Sequence, residues 1–125
     1  MSRVLVVDDE ETIRTLLQAH LKQMGHRVIS ASSGDEALVA VRKHGAPDVA
    51  VLDVRLPDIE GFELAQKLRA ETGCEHLPII FLSAKVDQEH IDRGRELNAV
   101  YLTKPYVRSA LANAIDKAVV QPDGW

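Results

Sequence analysis

Five side chains in this sequence are suited to chemistry on a charged group, and each follows a short apolar run. They are three carboxylates, one hydroxyl and one ammonium: Asp8, Asp9, Asp53, Ser83 and Lys104. Three clustered carboxylates repel one another and raise at least one pKa unless a cation lies among them. Oxygen ligands without a nearby histidine or cysteine suit Mg²⁺. A carboxylate beside Mg²⁺ can attack a phosphoryl group, whose oxygens a lysine and a hydroxyl would stabilise.

The apolar runs predict five strands, at residues 4–7, 28–31, 49–52, 79–82 and 100–102. Each run is followed by an amphipathic stretch, so the pattern indicates five βα units. Strands that are apolar on both faces are typical of a parallel sheet covered by helices on both sides, which makes the fold class α/β. Because the carboxyl ends of parallel strands meet at one edge of the sheet, we expect the five polar side chains to meet there.

Helical spacing and stop signals predict the five helices. The first has an inward stripe and ends at Gly25: Ile13, Leu16, Leu17, Leu21 and Met24. The second begins with the capping-box pair Ser33 and Glu36 and ends near Gly45. The third covers residues 60–72, and the fifth has the stripe Val107, Leu111, Ala114, Ile115 and Ala118. The fourth, at 87–97, has few apolar residues and should be held most weakly.

Each candidate site residue also has an ordinary structural explanation. An aspartate or serine after a strand often caps the next helix, which applies to Asp8, Asp53 and Ser83. Lys104 precedes Pro105, where a lysine is usually solvated and the proline opens a helix. The prediction of a site therefore depends on all five residues occurring together at strand ends.

Four segments carry a resemblance to a known family: VLVVDDEE, VAVLDVRLPDIEGFEL, PIIFLSA and VYLTKPY. Over essentially its whole length, the sequence resembles the receiver domains of two-component response regulators. The resemblance implies a flavodoxin-like, doubly wound five-stranded sheet of order 2-1-3-4-5 flanked by five helices. It also implies one receiver domain over residues 1–120, with 121–125 as a polar tail or the start of a linker.

The same resemblance implies roles for the site residues. Asp53 would accept the phosphoryl group, Asp9 would bind Mg²⁺ directly, and Asp8 would act largely through water. The backbone carbonyl of Arg55 would be a further Mg²⁺ ligand, and Ser83 and Lys104 would hold the phosphoryl oxygens.

The resemblance further implies a switch and its partners. Tyr101 would turn inward when Ser83 is drawn to the phosphate, although an ordinary aromatic on an edge strand would fit the same position. The phosphoryl donor would be a histidine kinase or phosphotransfer protein, and the output a separate protein or a fused domain. A homodimer formed on phosphorylation is also compatible with the resemblance. Such a domain is a signalling switch that assists its own phosphorylation and dephosphorylation. One departure from the family is Asn98, where a glycine is common.

Composition excludes several other classes. The chain has 125 residues, 46% of them hydrophobic, and a net charge of -4, which disfavours direct nucleic-acid binding. No apolar run approaches the roughly eighteen residues of a membrane span, and the N-terminus lacks a signal peptide, so a cytoplasmic protein is expected. The single cysteine, Cys74, is expected to lie in a surface loop without a role.

Three alternative functions are also weighed against the sequence. A Mg²⁺-dependent phosphohydrolase using an aspartyl phosphate would want an Asp-x-Asp pattern, whereas Val54 and Arg55 follow Asp53. Nucleotide or flavin binding would conflict with the acidic residues after the first strand. A degenerate, unphosphorylated receiver would be expected to lack a site residue, and none is missing.

Overall fold

The computed structural model describes residues 2–84 and 87–120, so the predicted tail at 121–125 lies outside the described residues. Strands and helices alternate along the chain, as predicted. They are β1 (Arg3–Val7), α1 (Glu11–Gln23), β2 (Arg27–Ala31), α2 (Gly34–His44), β3 (Val49–Asp53), α3 (Gly61–Arg69), β4 (Ile79–Ser83), α4 (Gln88–Glu96), β5 (Val100–Thr103) and α5 (Arg108–Val120).

All five strands lie in one parallel sheet of order β2-β1-β3-β4-β5, which confirms the predicted topology. The strand order reverses at β1, which pairs with β2 on one side and β3 on the other. The register pairs Val7 with Leu52 and Ser83 with Thr103. The carboxyl ends of β1, β3, β4 and β5 therefore reach the same edge of the sheet, where ligands of doubly wound folds bind.

Helices cover both faces of the sheet. Successive β1 residues point to opposite faces, so Val4 and Val6 pack with α1 and α5, while Leu5 and Val7 pack with α2 and α3. The three central strands are buried throughout apart from Arg3. The edge strands β2 and β5 are only half-buried.

Two predicted core positions are wrong. Leu16 is 45% exposed and Val107 is 63% exposed. Leu16 lies about 100° around the helix from Leu17, which faces the sheet, and Val107 precedes the first residue of α5.

The prediction for Cys74 is also wrong, because its side chain is buried. The third helix ends at Arg69 rather than near residue 72, and the chain then turns inward. In that turn Cys74 donates a backbone hydrogen bond to Glu71 at 3.0 Å and accepts one from Leu77 at 3.1 Å. The side chain of Cys74 packs in the core, and burial raises the pKa of its thiol.

The predicted helix ends are largely confirmed. Ser33 caps α2 by accepting a hydrogen bond from the Glu36 backbone at 3.2 Å, although the Glu36 carboxylate binds Ser32 rather than Ser33. Gly45 follows α2 with φ of +88°, and Asn98 follows α4 with φ of +53°. Asn98 therefore supplies the left-handed conformation that glycine would otherwise provide.

Candidate functional site

Asp8 lies directly after β1 and is buried, with 1% of its surface exposed. Its Oδ1 accepts a hydrogen bond from the backbone of Glu10 at 2.9 Å, and its backbone carbonyl accepts one from Arg14 at 2.8 Å. Among the described residues, its Oδ2 has no hydrogen bond, although the Lys104 ammonium lies 2.9 Å away. This buried carboxylate oxygen is therefore held by the charge of Lys104.

Asp53 is the last residue of β3 and is 8% exposed. Its Oδ1 accepts a long hydrogen bond, 3.3 Å, from the backbone of Arg55, and its Oδ2 lies 3.2 Å from the Lys104 ammonium. The following loop packs so closely that a Cβ on Gly61 would lie 2.2 Å from the backbone oxygen of Asp53. Glycine at position 61 is therefore required for this loop to return against the phosphoryl-acceptor candidate.

Lys104 joins the cluster from the segment after β5. Its backbone N–H donates to the carbonyl of Ser83 at 2.8 Å, which fixes it to the end of β4. Its ammonium lies 2.9 Å from Asp8, 3.2 Å from Glu10 and 3.2 Å from Asp53. One ammonium thus faces three carboxylates, so the site retains an excess of negative charge.

The pKa values of this cluster reflect that excess. Burial raises the pKa of Asp53, the charge of Asp8 raises it further, and Lys104 only partly opposes them. Burial by itself lowers the pKa of Lys104, but the contacts with Asp8 and Asp53 outweigh it and hold that pKa above its usual value. The main cause of the raised pKa of Asp53 is thus burial, whereas that of Lys104 is the two neighbouring carboxylates.

A group of three carboxylates within the described residues has the spacing of a metal site. Oxygens of Asp8, Glu10 and Asp53 all lie within 4.8 Å of one another. Asp9 is exposed and does not belong to this group, so its direct contact with Mg²⁺ stays a prediction. Sequence reasoning missed Glu10, although it continues the acidic run and is the residue before α1.

Ser83 and Tyr101, the two residues of the predicted switch, lie on the neighbouring strands β4 and β5. Ser83 is buried at the end of β4, one residue beyond Leu82, which pairs with Asp53. Tyr101 is half-buried on the edge strand β5, with its ring 6.5 Å from that of Phe81. The two are linked through the sheet, because Phe81 and Tyr101 are partners in the β4–β5 register.

The loop between Asp53 and α3 is attached to α2. Asp58 accepts hydrogen bonds at 2.9 Å from the backbones of Gly34 and Asp35, the first residues of α2. These bonds lower the pKa of Asp58 and place a negative charge at the positive end of the helix. Arg55 is exposed on the same loop and forms an antiparallel bridge with Glu60.

The fold and the site define a doubly wound protein with an acidic cluster at its switch point. Residues 4–116 match the response regulator receiver domain family. The chain belongs to that family.

Named proteins with similar sequences support the same family assignment. The chain is 42% identical over 120 residues to the alkaline phosphatase synthesis transcriptional regulatory protein PhoP of Bacillus subtilis, with 95% of this chain and 48% of that protein covered. It is 38% identical over 122 residues to the transcriptional regulatory protein AfsQ1 of Streptomyces coelicolor, with 97% and 52% covered. The chain thus spans about half the length of these curated relatives.

Solved structures show the same architecture. The chemotaxis protein CheY4 of Vibrio cholerae matches with a TM-score of 0.87 at 30% identity, covering 94% of this chain and 98% of that one. A response regulator receiver domain protein of Clostridium thermocellum matches with a TM-score of 0.87 at 28% identity, covering 95% and 94%. No helix in the described part of the chain is long and apolar enough to cross a membrane.

Proposed function

We propose that this receiver domain accepts a phosphoryl group on Asp53, with Mg²⁺ held by Asp8, Asp53, the backbone carbonyl of Arg55 and Asp9. The observation that carries the proposal is the contact of one ammonium with three carboxylates at the carboxyl edge of the sheet. A bound Mg²⁺ would supply neutralising charge for the phosphoryl oxygens.

The protein groups then have distinct tasks. A carboxylate oxygen of Asp53 attacks phosphorus, the bond from phosphorus to the donor breaks, and the leaving group takes its proton from solvent. Lys104 already lies 3.2 Å from Asp53 and would move its ammonium toward the incoming phosphoryl oxygens. The hydroxyl of Ser83, at the adjacent strand end, would donate to the same group and draw Tyr101 inward. Hydrolysis by water would return Asp53 to its free form.

Partners follow from this chemistry. The donor in the cell would be the phosphohistidine of a histidine kinase or phosphotransfer protein, and the altered surface around α4 and β5 would act on an output protein or a fused domain. A phosphorylation-dependent homodimer and a cytoplasmic location belong to the same proposal.

The test is incubation of the purified chain with Mg²⁺ and acetyl phosphate, followed by intact mass measurement. We expect a gain of one phosphoryl group that requires Mg²⁺, is absent in Asp53→Asn and persists in Asp116→Asn, which alters an exposed carboxylate on α5. A gain that is equal in Asp53→Asn would refute the proposed acceptor. No gain with acetyl phosphate or phosphoramidate would instead favour the degenerate receiver.

A further inference from the structure

The segment after Lys104 is tied to α1 at two points. A ring nitrogen of His20 and the hydroxyl of Tyr106 form a short hydrogen bond, and their rings meet edge to face with centroids 5.6 Å apart. Two residues further on, Arg108 donates to the side chain of Gln23 at 2.9 Å. Tyr106 lies closer to Lys104 in the sequence than Arg108 does.

One end of α1 therefore adjoins the candidate site, and its later half contacts the segment that follows Lys104. The helix begins directly after Glu10, whose carboxylate belongs to the acidic cluster, and its later half carries His20. Lys104 is fixed on its N-terminal side by the hydrogen bond to Ser83. On its C-terminal side only Pro105 separates it from Tyr106, and the proline ring restricts rotation about that residue.

Burial favours the hydrogen bond between His20 and Tyr106. Tyr106 is half-buried against the core cluster on the α1 and α5 side of the sheet. Burial raises the pKa of Tyr106, so its hydroxyl keeps its proton at neutral pH. Burial and then the charge of Arg108 lower the pKa of His20, so its imidazole is neutral and can accept from the hydroxyl.

We infer that the His20–Tyr106 hydrogen bond is a positioning contact that holds the Lys104 backbone in the place from which its ammonium reaches the phosphoryl group. The inference rests on the proposed phosphorylation of Asp53 and adds two residues that act through Lys104. A tyrosine is needed because the hydroxyl makes the bond, whereas a phenylalanine would fill the same space without it.

The test compares the wild-type chain with Tyr106→Phe, His20→Phe, their double variant and Gln23→Ala. Each chain is phosphorylated with acetyl phosphate and saturating Mg²⁺, and the rate is followed by intact mass. The NMR signals of the Lys104 side chain, assigned by their loss in Lys104→Ala, report the position of the ammonium independently of activity. Gln23→Ala is the matched control because it loosens the same two segments farther from Lys104.

We expect each single variant to be phosphorylated roughly threefold to tenfold more slowly, with the double variant no slower than either, because both remove one bond. The Lys104 signals should shift in these variants and stay unchanged in Gln23→Ala. If Tyr106→Phe is phosphorylated as fast as the wild-type chain, the positioning role is refuted but the proposed function is not. Slower phosphorylation with unmoved Lys104 signals would refute the positioning role too. A wild-type chain that takes no phosphate would overturn the proposed function as well.

Discussion

At the scale of single residues, the site is organised by an imbalance of charge. Three carboxylates share one ammonium, and two of them, Asp8 and Asp53, are buried. Burial makes ionised carboxylates costly, and the nearness of like charges adds to that cost. The ammonium of Lys104 offsets part of this cost.

Replacement of Asp53 by asparagine should reveal this cost. Because the folded pKa of Asp53 is raised above its unfolded value, the wild-type chain loses stability as pH rises from the unfolded pKa through the folded one. Without Mg²⁺, Asp53→Asn should therefore melt at a higher temperature than wild type at neutral pH. The difference should shrink as the pH falls from the raised folded pKa toward the unfolded pKa, below which Asp53 is neutral in both states. Thermal denaturation across pH measures this, and a less stable Asn variant at neutral pH would contradict it.

Lys104→Met should lower the stability of the folded chain, whereas Asp53→Asn should raise it. The variant leaves buried carboxylates without their ammonium, which costs about 3 kcal/mol when a buried charge pair is broken. Mg²⁺ should then bind more tightly than to wild type, because no ammonium competes for the oxygens, and should restore much of the lost stability. Calorimetric titration with Mg²⁺, paired with melting curves, measures both effects. As a control, Lys117→Met alters an exposed lysine on α5 and should change neither. Weaker Mg²⁺ binding in Lys104→Met would count against a shared site.

At the scale of elements, α4 differs from the other helices in how it is held. Its one buried residue is Gly94, and a Cβ there would lie 3.4 Å from the Tyr101 ring. His90 and Arg93 add contacts with Phe62. The His90 ring lies 5.9 Å from the Phe62 ring, and the Arg93 guanidinium lies 4.4 Å above it and 3.6 Å from Glu60. The scarcity of apolar residues in the sequence of this helix predicts weak attachment, and that stays a prediction. An element with little buried apolar surface opens locally at low free-energy cost.

Arg93→Ala should loosen α4 without unfolding the domain. Loss of the cation–π contact costs about 0.5–1 kcal/mol, and the partly exposed ion pair adds little. Amide hydrogen exchange should therefore quicken about two- to fivefold in α4 and remain unchanged in β1 and β3. Arg95→Ala, on the exposed face of the same helix, is the matched control and should leave exchange as in wild type. Equal exchange in Arg93→Ala and Arg95→Ala would show that Arg93 does not hold the helix.

At the scale of the whole molecule, alternation of apolar runs and helical stripes predicted the α/β class, and the resemblance supplied the strand order. The fold class and the strand order are both confirmed. The fold class was predictable because burial on both faces of a parallel sheet leaves a strong sequence pattern. Val107 and Cys74 were misassigned because periodicity does not report where a helix begins or how a turn folds back. Leu16 was misassigned because periodicity does not fix how far the buried stripe extends around a helix. Glu10 was missed for a related reason, since only the loop geometry brings its carboxylate to Asp8 and Asp53. The contact of His20 with Tyr106 joins residues 86 positions apart, which spacing alone cannot reveal.

The central claim is that Asp53, among several clustered carboxylates, carries the phosphoryl group. The most direct measurement is reduction of the phosphorylated chain with borohydride, which converts an acyl phosphate to the alcohol, followed by digestion and peptide sequencing by mass spectrometry. The account predicts homoserine at position 53 alone, in an amount that requires Mg²⁺. Homoserine at position 8 or 9, the reduced glutamate 2-amino-5-hydroxypentanoic acid at position 10, or an unmodified peptide at position 53 in a chain that had gained phosphate, would contradict it.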